Sequence, residues 1–168
     1  MDAKFRVGPK PGPKIRVEKV FRVQNKYSEE RFCLHIRHLA GEDNENLGKI
    51  VHERVYHGTD DIAFKIVSGN GFNRSKNVVA AYGNGSYFAK YSLLATHHAL
   101  NHGRKTGYVI ACKMVSTKPG RTTVCSTEPN EGCDCGGSGD DYDAWIRVSF
   151  QDSQICPEYI IVISYDEI

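Results

Sequence analysis

The sequence predicts an α+β fold, on three observations. Short apolar segments with strand-like patterning recur along the 168 residues, helical periodicities are few and brief, and the two do not alternate regularly as a parallel sheet would require. Residues 1–14 are rich in Gly, Pro and Lys and read as a flexible lead-in to a single domain over residues 15–168. Arg16 to Val23 alternates branched and charged residues, with Val17, Val20, Phe21 and Val23 apolar, and reads as a strand. Asn25 to Leu39 places Tyr27, Phe32, Leu34, Ile36 and Leu39 among charges, the pattern of an amphipathic helix. Gly41 to Gly48 is acidic and turn-like, and Glu53 to His57 is a short strand that ends in a His-Gly turn.

Asp60 to Ser68 carries Ile62, Ile66 and Val67 at helical spacing, with Gly69 and Gly71 to stop it. Ser75 to Ala81 continues as loop into a glycine turn, Ser86 to Ala89 is a strand, and Ser92 to His102 is a helix. Gly107 to Val115 and Glu158 to Ser164 are almost continuous apolar runs, as central strands are. Ala144 to Phe150 alternates, which puts Ile146, Val148 and Phe150 on one face.

Composition narrows the function classes. A chain of 168 residues suits one domain with a real core, and its 40% hydrophobic and 25% charged content is ordinary for a globular protein. A formal charge of +2 gives no support to nucleic-acid binding. No stretch approaches the ~20 apolar residues of a membrane helix, and the first ten residues lack a signal-peptide core. An intracellular protein, cytoplasmic or nuclear, is therefore expected, with its six cysteines reduced. Asn73 and Asn84 each open an Asn-x-Ser triplet, but both lie in loops where a glycan would obstruct the pocket inferred below. A monomer is expected.

Two segments carry the chemistry: Tyr56-His57-Gly58-Thr59 and Tyr82-Gly83-Asn84-Gly85-Ser86-Tyr87-Phe88-Ala89. His57 offers a ring nitrogen to a hydroxyl, Gly58 lets a ligand approach bare backbone, and Tyr87 supplies a flat apolar face. Those are the requirements for holding a nicotinamide riboside. With Val20-Phe21-Arg22-Val23-Gln24-Asn25, Gly71-Phe72-Asn73-Arg74-Ser75 and the closing Pro157-Glu158-Tyr159 segment, the chain from about Ile15 onward resembles a known family. That family is the poly(ADP-ribose) polymerase catalytic domain, a diphtheria-toxin-like ADP-ribosyltransferase that uses NAD. The resemblance implies two packed, mainly antiparallel sheets with a few short helices around an NAD cleft.

It also implies roles. His57 would bond the 2′-hydroxyl of the nicotinamide ribose, the Gly58 backbone would bond the carboxamide, and Tyr87 would stack on the ring. Thr59, Phe88 and Ala89 would complete the wall, and the loop from Asn73 to Tyr82 would lie over the pyrophosphate and adenosine, with Arg74 and Ser75 reaching oxygens. Thirteen residues before Tyr159, where chain-forming members carry Glu, stands Ile146. This matches the His-Tyr-Ile pattern of the mono-ADP-ribosylating branch, because an aliphatic side chain cannot polarise an acceptor hydroxyl. One departure concerns the helix after Tyr87. The family's Ser and second aromatic fall on Ala95 and His98, and a shift of one residue would make Thr96 the hydroxyl instead.

The resemblance thus implies a protein mono-ADP-ribosyltransferase acting on protein acceptors, itself included. Two alternatives stay open: a silent module of the same fold that binds NAD or a partner, and a transferase acting on nucleic-acid ends. Cys125, Cys133 and Cys135 sit in a Gly- and acid-rich insert. Their spacing fits zinc poorly, so no metal is expected there. Glu128, Glu131 or a cysteine of that insert is a candidate automodification site.

Overall fold

A computed structural model describes residues 14–69, 71–74, 81–101, 103–118, 120, 128, 135–138 and 145–166. Strand β1 (Lys14–Arg22) leads into helix α1 (Lys26–Ala40), and β2 (Val51–Thr59) is followed by α2 (Ala63–Ser68). Then come β3 (Ser86–Ala89), α3 (Ser92–Ala99), β4 (Thr106–Ser116), the two-residue β5 (Gly136–Gly137), β6 (Ile146–Ser149) and β7 (Ile155–Asp166). The expected lead-in lies outside the described residues up to Lys14, which already belongs to β1.

The α+β expectation holds. Seven strands form one sheet in the order β1-β7-β4-β2-β3-β6-β5, and every neighbouring pair is antiparallel. Where the resemblance implies two packed sheets, the strands form a single one, whose weakest seam separates a larger half, β1-β7-β4-β2, from a smaller half, β3-β6-β5. The β2–β4 and β4–β7 ladders are long, whereas β2 meets β3 through the single pair Tyr56↔Ala89. The halves therefore diverge beyond that pair, and a cleft opens at the junction.

Each face of the larger half is covered by a helix. Val55, Ile110, Cys112, Met114 and Ile160 pack with Ala63 and Val67 of α2 and with Phe72 and Phe88. Val109 and Ile163, on the alternate positions, pack with Ala95, Ala99 and Leu100 on the α3 side. Burial on both faces explains why β4 and β7 read as continuous apolar runs.

Several sequence motifs turn out to fasten elements together. Asn25 caps α1 by accepting from the Ser28 N–H at 3.1 Å, while its amide donates to the carbonyls of Val67 (2.8 Å) and Gly69 (3.1 Å) at the end of α2. One side chain thus ties the start of one helix to the end of another. In the closing segment, Pro157 lacks the ladder N–H, and the β4–β7 register slips so that Cys112 faces Pro157 while Ala111 faces Tyr159. Glu158, the residue between them, binds Arg54 at 2.7 Å and Lys113 at 2.9 Å.

Five element expectations change. The His-Gly turn expected after residues 53–57 does not form, because His57, Gly58 and Thr59 continue the ladder with β4. In α1, Tyr27 and Leu34 are exposed and the core stripe is Phe32, His35, Ile36 and Leu39, the set that repeats every three or four residues. Helix α2 begins at Ala63 because Asp60 spends its carboxylate on the Ile62 N–H (3.3 Å), a turn rather than a helical position. Helix α3 stops at Ala99, short of His102, which lies outside the described residues; Gly103 follows with φ of +73°. In β6 the polar residues Arg147 and Ser149 are buried along with Val148, because Arg147 binds Glu53 of β2 and Ser149 donates to the Gln154 side chain.

Candidate active site

A cleft of about 510 Å³ lies where β2 and β3 part, and His57, Gly58, Thr59, Tyr82, Tyr87, Phe88, Ala89, Ala95, His98 and Ile146 all line it. Two segments thirty positions apart in sequence therefore meet. Their contact is direct: His57 Nδ1 lies 2.8 Å from the main-chain oxygen of Tyr87. A carbonyl can only accept, so Nδ1 carries the proton and Nε2 of the neutral ring is left as an acceptor. The local geometry thus fixes the tautomer suited to receiving a hydroxyl proton.

The imidazole is enclosed by rings. Phe72 meets it edge-on at 5.0 Å between centroids, Phe88 lies at 5.7 Å, and the two phenylalanines touch each other at 4.8 Å. Burial in this aromatic box pushes the His57 pKa below its ordinary value. The bond to Tyr87 opposes that shift and loses, while the neighbouring His98 adds to it. The Gly-Phe-Asn-Arg-Ser motif accordingly contributes Phe72, which holds the imidazole in place.

A stability consequence follows with a definite sign. The unfolded chain takes up a proton on this histidine near the ordinary value of about 6.5, whereas the folded chain does so only at lower pH. Above that range the residue leaves stability independent of pH. As pH falls through it toward the folded value, protonation favours the unfolded chain and stability declines. Urea midpoints measured at pH 7.5 and pH 5 should therefore fall further in the wild type than in His57→Gln. Equal declines would show that His57 titrates alike in both states.

Tyr87 is fastened by its hydroxyl. The phenol oxygen accepts from the Tyr82 N–H at 2.7 Å and donates to the Gly83 carbonyl at 2.8 Å. The glycine loop is thus pinned to the tip of the ring, and the ring face is presented to the cleft at a fixed angle. Partial burial raises the phenol pKa and keeps it protonated, as its donation to Gly83 requires.

Gly58 is needed for a reason the sequence did not suggest. A Cβ there would lie 1.9 Å from the Ala95 carbonyl oxygen and 2.9 Å from the Ala99 nitrogen. The glycine admits α3 against β2, and this approach brings Ala95 and His98 to the cleft. Thr96 is buried and does not line the cleft, so the hydroxyl expected from it points elsewhere; Ala95 holds the wall position.

Arg74 is also displaced from its expected role. Its guanidinium donates to the Phe150 carbonyl, and the residue does not line the cleft; Ser75 lies outside the described residues. Sequence reasoning missed Tyr56, Asp60, Ile62, Ala81, Leu94, Asn101 and Arg104, which complete the walls. Asp60 and Asn101 had a usable signal in their positions just beyond β2 and α3. Arg104 had none, because its role depends on which strands are neighbours.

Ile146 lies on the same wall, paired in the ladder with Ala89. Among the described residues no group of three or more His, Cys, Asp or Glu side chains is placed to hold a metal. Cys135 is buried beside β5, while Cys125, Cys133 and Glu131 lie outside the described residues. No helix among the described residues is long and apolar enough to cross a membrane.

A family model described as the poly(ADP-ribose) polymerase catalytic domain matches residues 4–133. The match includes His57 and Tyr87 and ends before Ile146. No curated protein matches the chain.

Proposed function

The chain belongs to the poly(ADP-ribose) polymerase catalytic-domain family, NAD-using ADP-ribosyltransferases, and on that premise we propose that it transfers one ADP-ribose unit from NAD to a protein carboxylate. His57 Nε2 accepts from a ribose hydroxyl, and the Tyr87 ring stacks on the nicotinamide. The bond between the ribose C1′ and the pyridine nitrogen breaks, and its electron pair leaves with nicotinamide. A new bond forms from the acceptor oxygen to C1′.

The observation that carries this reading is the aliphatic wall at Ile146, on the same cleft as His57 and Tyr87. An elongating enzyme must polarise a ribose hydroxyl at this stage, and Ile146 has no group that can do so. A carboxylate acceptor is already ionised and needs no base. Its charge also stabilises the cationic ribose as the pyridine departs.

Mass spectrometry of the protein and of added acceptor proteins after exposure to NAD tests this directly. Each modified site should gain one ADP-ribose and should lose it in neutral hydroxylamine, which converts a carboxylate ester to a hydroxamate and releases ADP-ribose. A ladder of repeated additions at one site would refute single transfer, and hydroxylamine resistance would refute the acceptor chemistry.

Ala95 favours a second reading, a module that binds NAD without turning it over. The cleft has an alanine methyl where a hydroxyl for the carboxamide is expected, and Thr96 does not supply one. Under that reading the same experiment leaves every protein unlabelled, although the dinucleotide binds.

A further inference from the structure

We propose that Arg104 is the phosphate-binding cation of this cleft and that Asp60 is its positioning residue. This rests on the dinucleotide reading above and extends it to residues outside the motifs that suggested it. The pairing Thr59↔Tyr108 between β2 and β4 brings the chain just beyond β2 beside the chain just before β4. Asp60 and Arg104 meet there, Oδ2 to Nη2 at 3.2 Å, and both line the cleft. Gly103, with φ of +73°, makes the turn that delivers Arg104.

The bonding is lopsided in a way that leaves the cation available. Asp60 uses its other oxygen on the Ile62 N–H at 3.3 Å, so it holds the guanidinium by one contact and not as a two-pronged pair. A guanidinium has five N–H donors, and this contact takes one. Both side chains are 39% exposed, so the remaining donors can reach a ligand in the cleft. Of the described residues lining the cleft, Arg104 alone carries a fixed positive charge, since Arg74 is engaged elsewhere with Phe150.

The placement suits a diphosphate. Three residue steps, along the end of β2 and just past it, take the chain from His57 to Asp60, a span of about 10 Å. A ribose held at His57 would therefore have its pyrophosphate carried toward Arg104. Planar guanidinium and phosphate oxygens form the charge-assisted, forked contacts that favour arginine in such a role.

Calorimetric titration of the full chain with ADP-ribose and, separately, with adenosine tests the assignment. Arg104→Gln should weaken ADP-ribose by about 10- to 100-fold, the worth of a hydrogen bond to a charged group, and leave adenosine unchanged. Arg104→Lys, which keeps the charge without the fork, should fall between. Asp60→Asn should lose several-fold on ADP-ribose alone, a ligand-selective effect that a merely structural role would not give. The pair is half-exposed and contributes little to folding, so these variants should fold. Equal losses for both ligands, or no loss for either, would overturn the proposal while leaving the dinucleotide reading standing. A wild-type chain that binds neither ligand would overturn that reading and this assignment together.

Discussion

His57→Ala and Tyr87→Ala are each expected to lose ADP-ribose transfer by at least about 100-fold, the order seen when reacting groups are misplaced by roughly an ångström. The two losses have different origins. Removing the imidazole deletes the acceptor for the ribose hydroxyl and the packing against Phe72 and Phe88. Removing the phenol deletes the stacking face and also frees the Tyr82 N–H and the Gly83 carbonyl. Tyr87→Phe separates these effects, because it keeps the ring and releases only the loop. It should retain measurable transfer with weaker NAD binding, since two backbone groups lose a partner at roughly 1–3 kcal/mol each where water cannot replace it. Label transfer from NAD, quantified for the three variants beside the wild type, gives the ranking. Full automodification by either alanine variant would remove the residue it replaces from the mechanism.

The fold and half of the site could be read from the sequence because their signals are local. Period-two alternation, a glycine after a helix and an Asn at a cap are decided within a few residues, and the strands and helices lie close to where those signals put them. His57 and Tyr87 were legible for the same reason: each sits in its own short motif, and the structure joins the motifs through one hydrogen bond. What escaped is set by neighbours in space. Gly58 looked like a gap left for a ligand, whereas the atom that fills its missing side chain's place is the Ala95 carbonyl. Spacing along the chain points to Thr96, but helix orientation decides which residue faces the cleft, and Ala95 does. Arg104 belongs to no motif and gains its place from the β2–β4 register. Alternation puts Ile146 and Val148 on one face of β6, yet it does not show that Arg147 and Ser149, at the alternate positions, are buried too.

Arg147 supplies the second large effect. Its side chain is fully buried, and it binds Glu53 through two parallel contacts, Nε to Oε2 at 2.9 Å and Nη2 to Oε1 at 3.1 Å. Glu53 stands on β2 and Arg147 on β6, so the pair bridges the two sheet halves where the β2–β3 ladder has the single pair Tyr56 and Ala89. Lys26–Glu30, by contrast, is exposed and contributes at most about 1 kcal/mol. The Arg147–Glu53 pair differs because water cannot replace a lost partner. Arg147→Ala should cost about 3–5 kcal/mol, most of it from leaving a charged Glu53 buried and unpaired. Glu53→Gln combined with Arg147→Met removes both charges and keeps much of the volume. It should therefore recover a large part of that loss. Urea unfolding of the single and double variants measures the coupling, with an unchanged slope marking a true stability change. Additive losses would mean that the two charges are solvated separately, and the junction would then depend on packing alone. Because Ile146 precedes Arg147 on β6 and lines the cleft, the single variant should also weaken NAD binding before it unfolds the chain. A double variant with restored stability should regain that binding, which connects the ion pair to the position of the cleft wall.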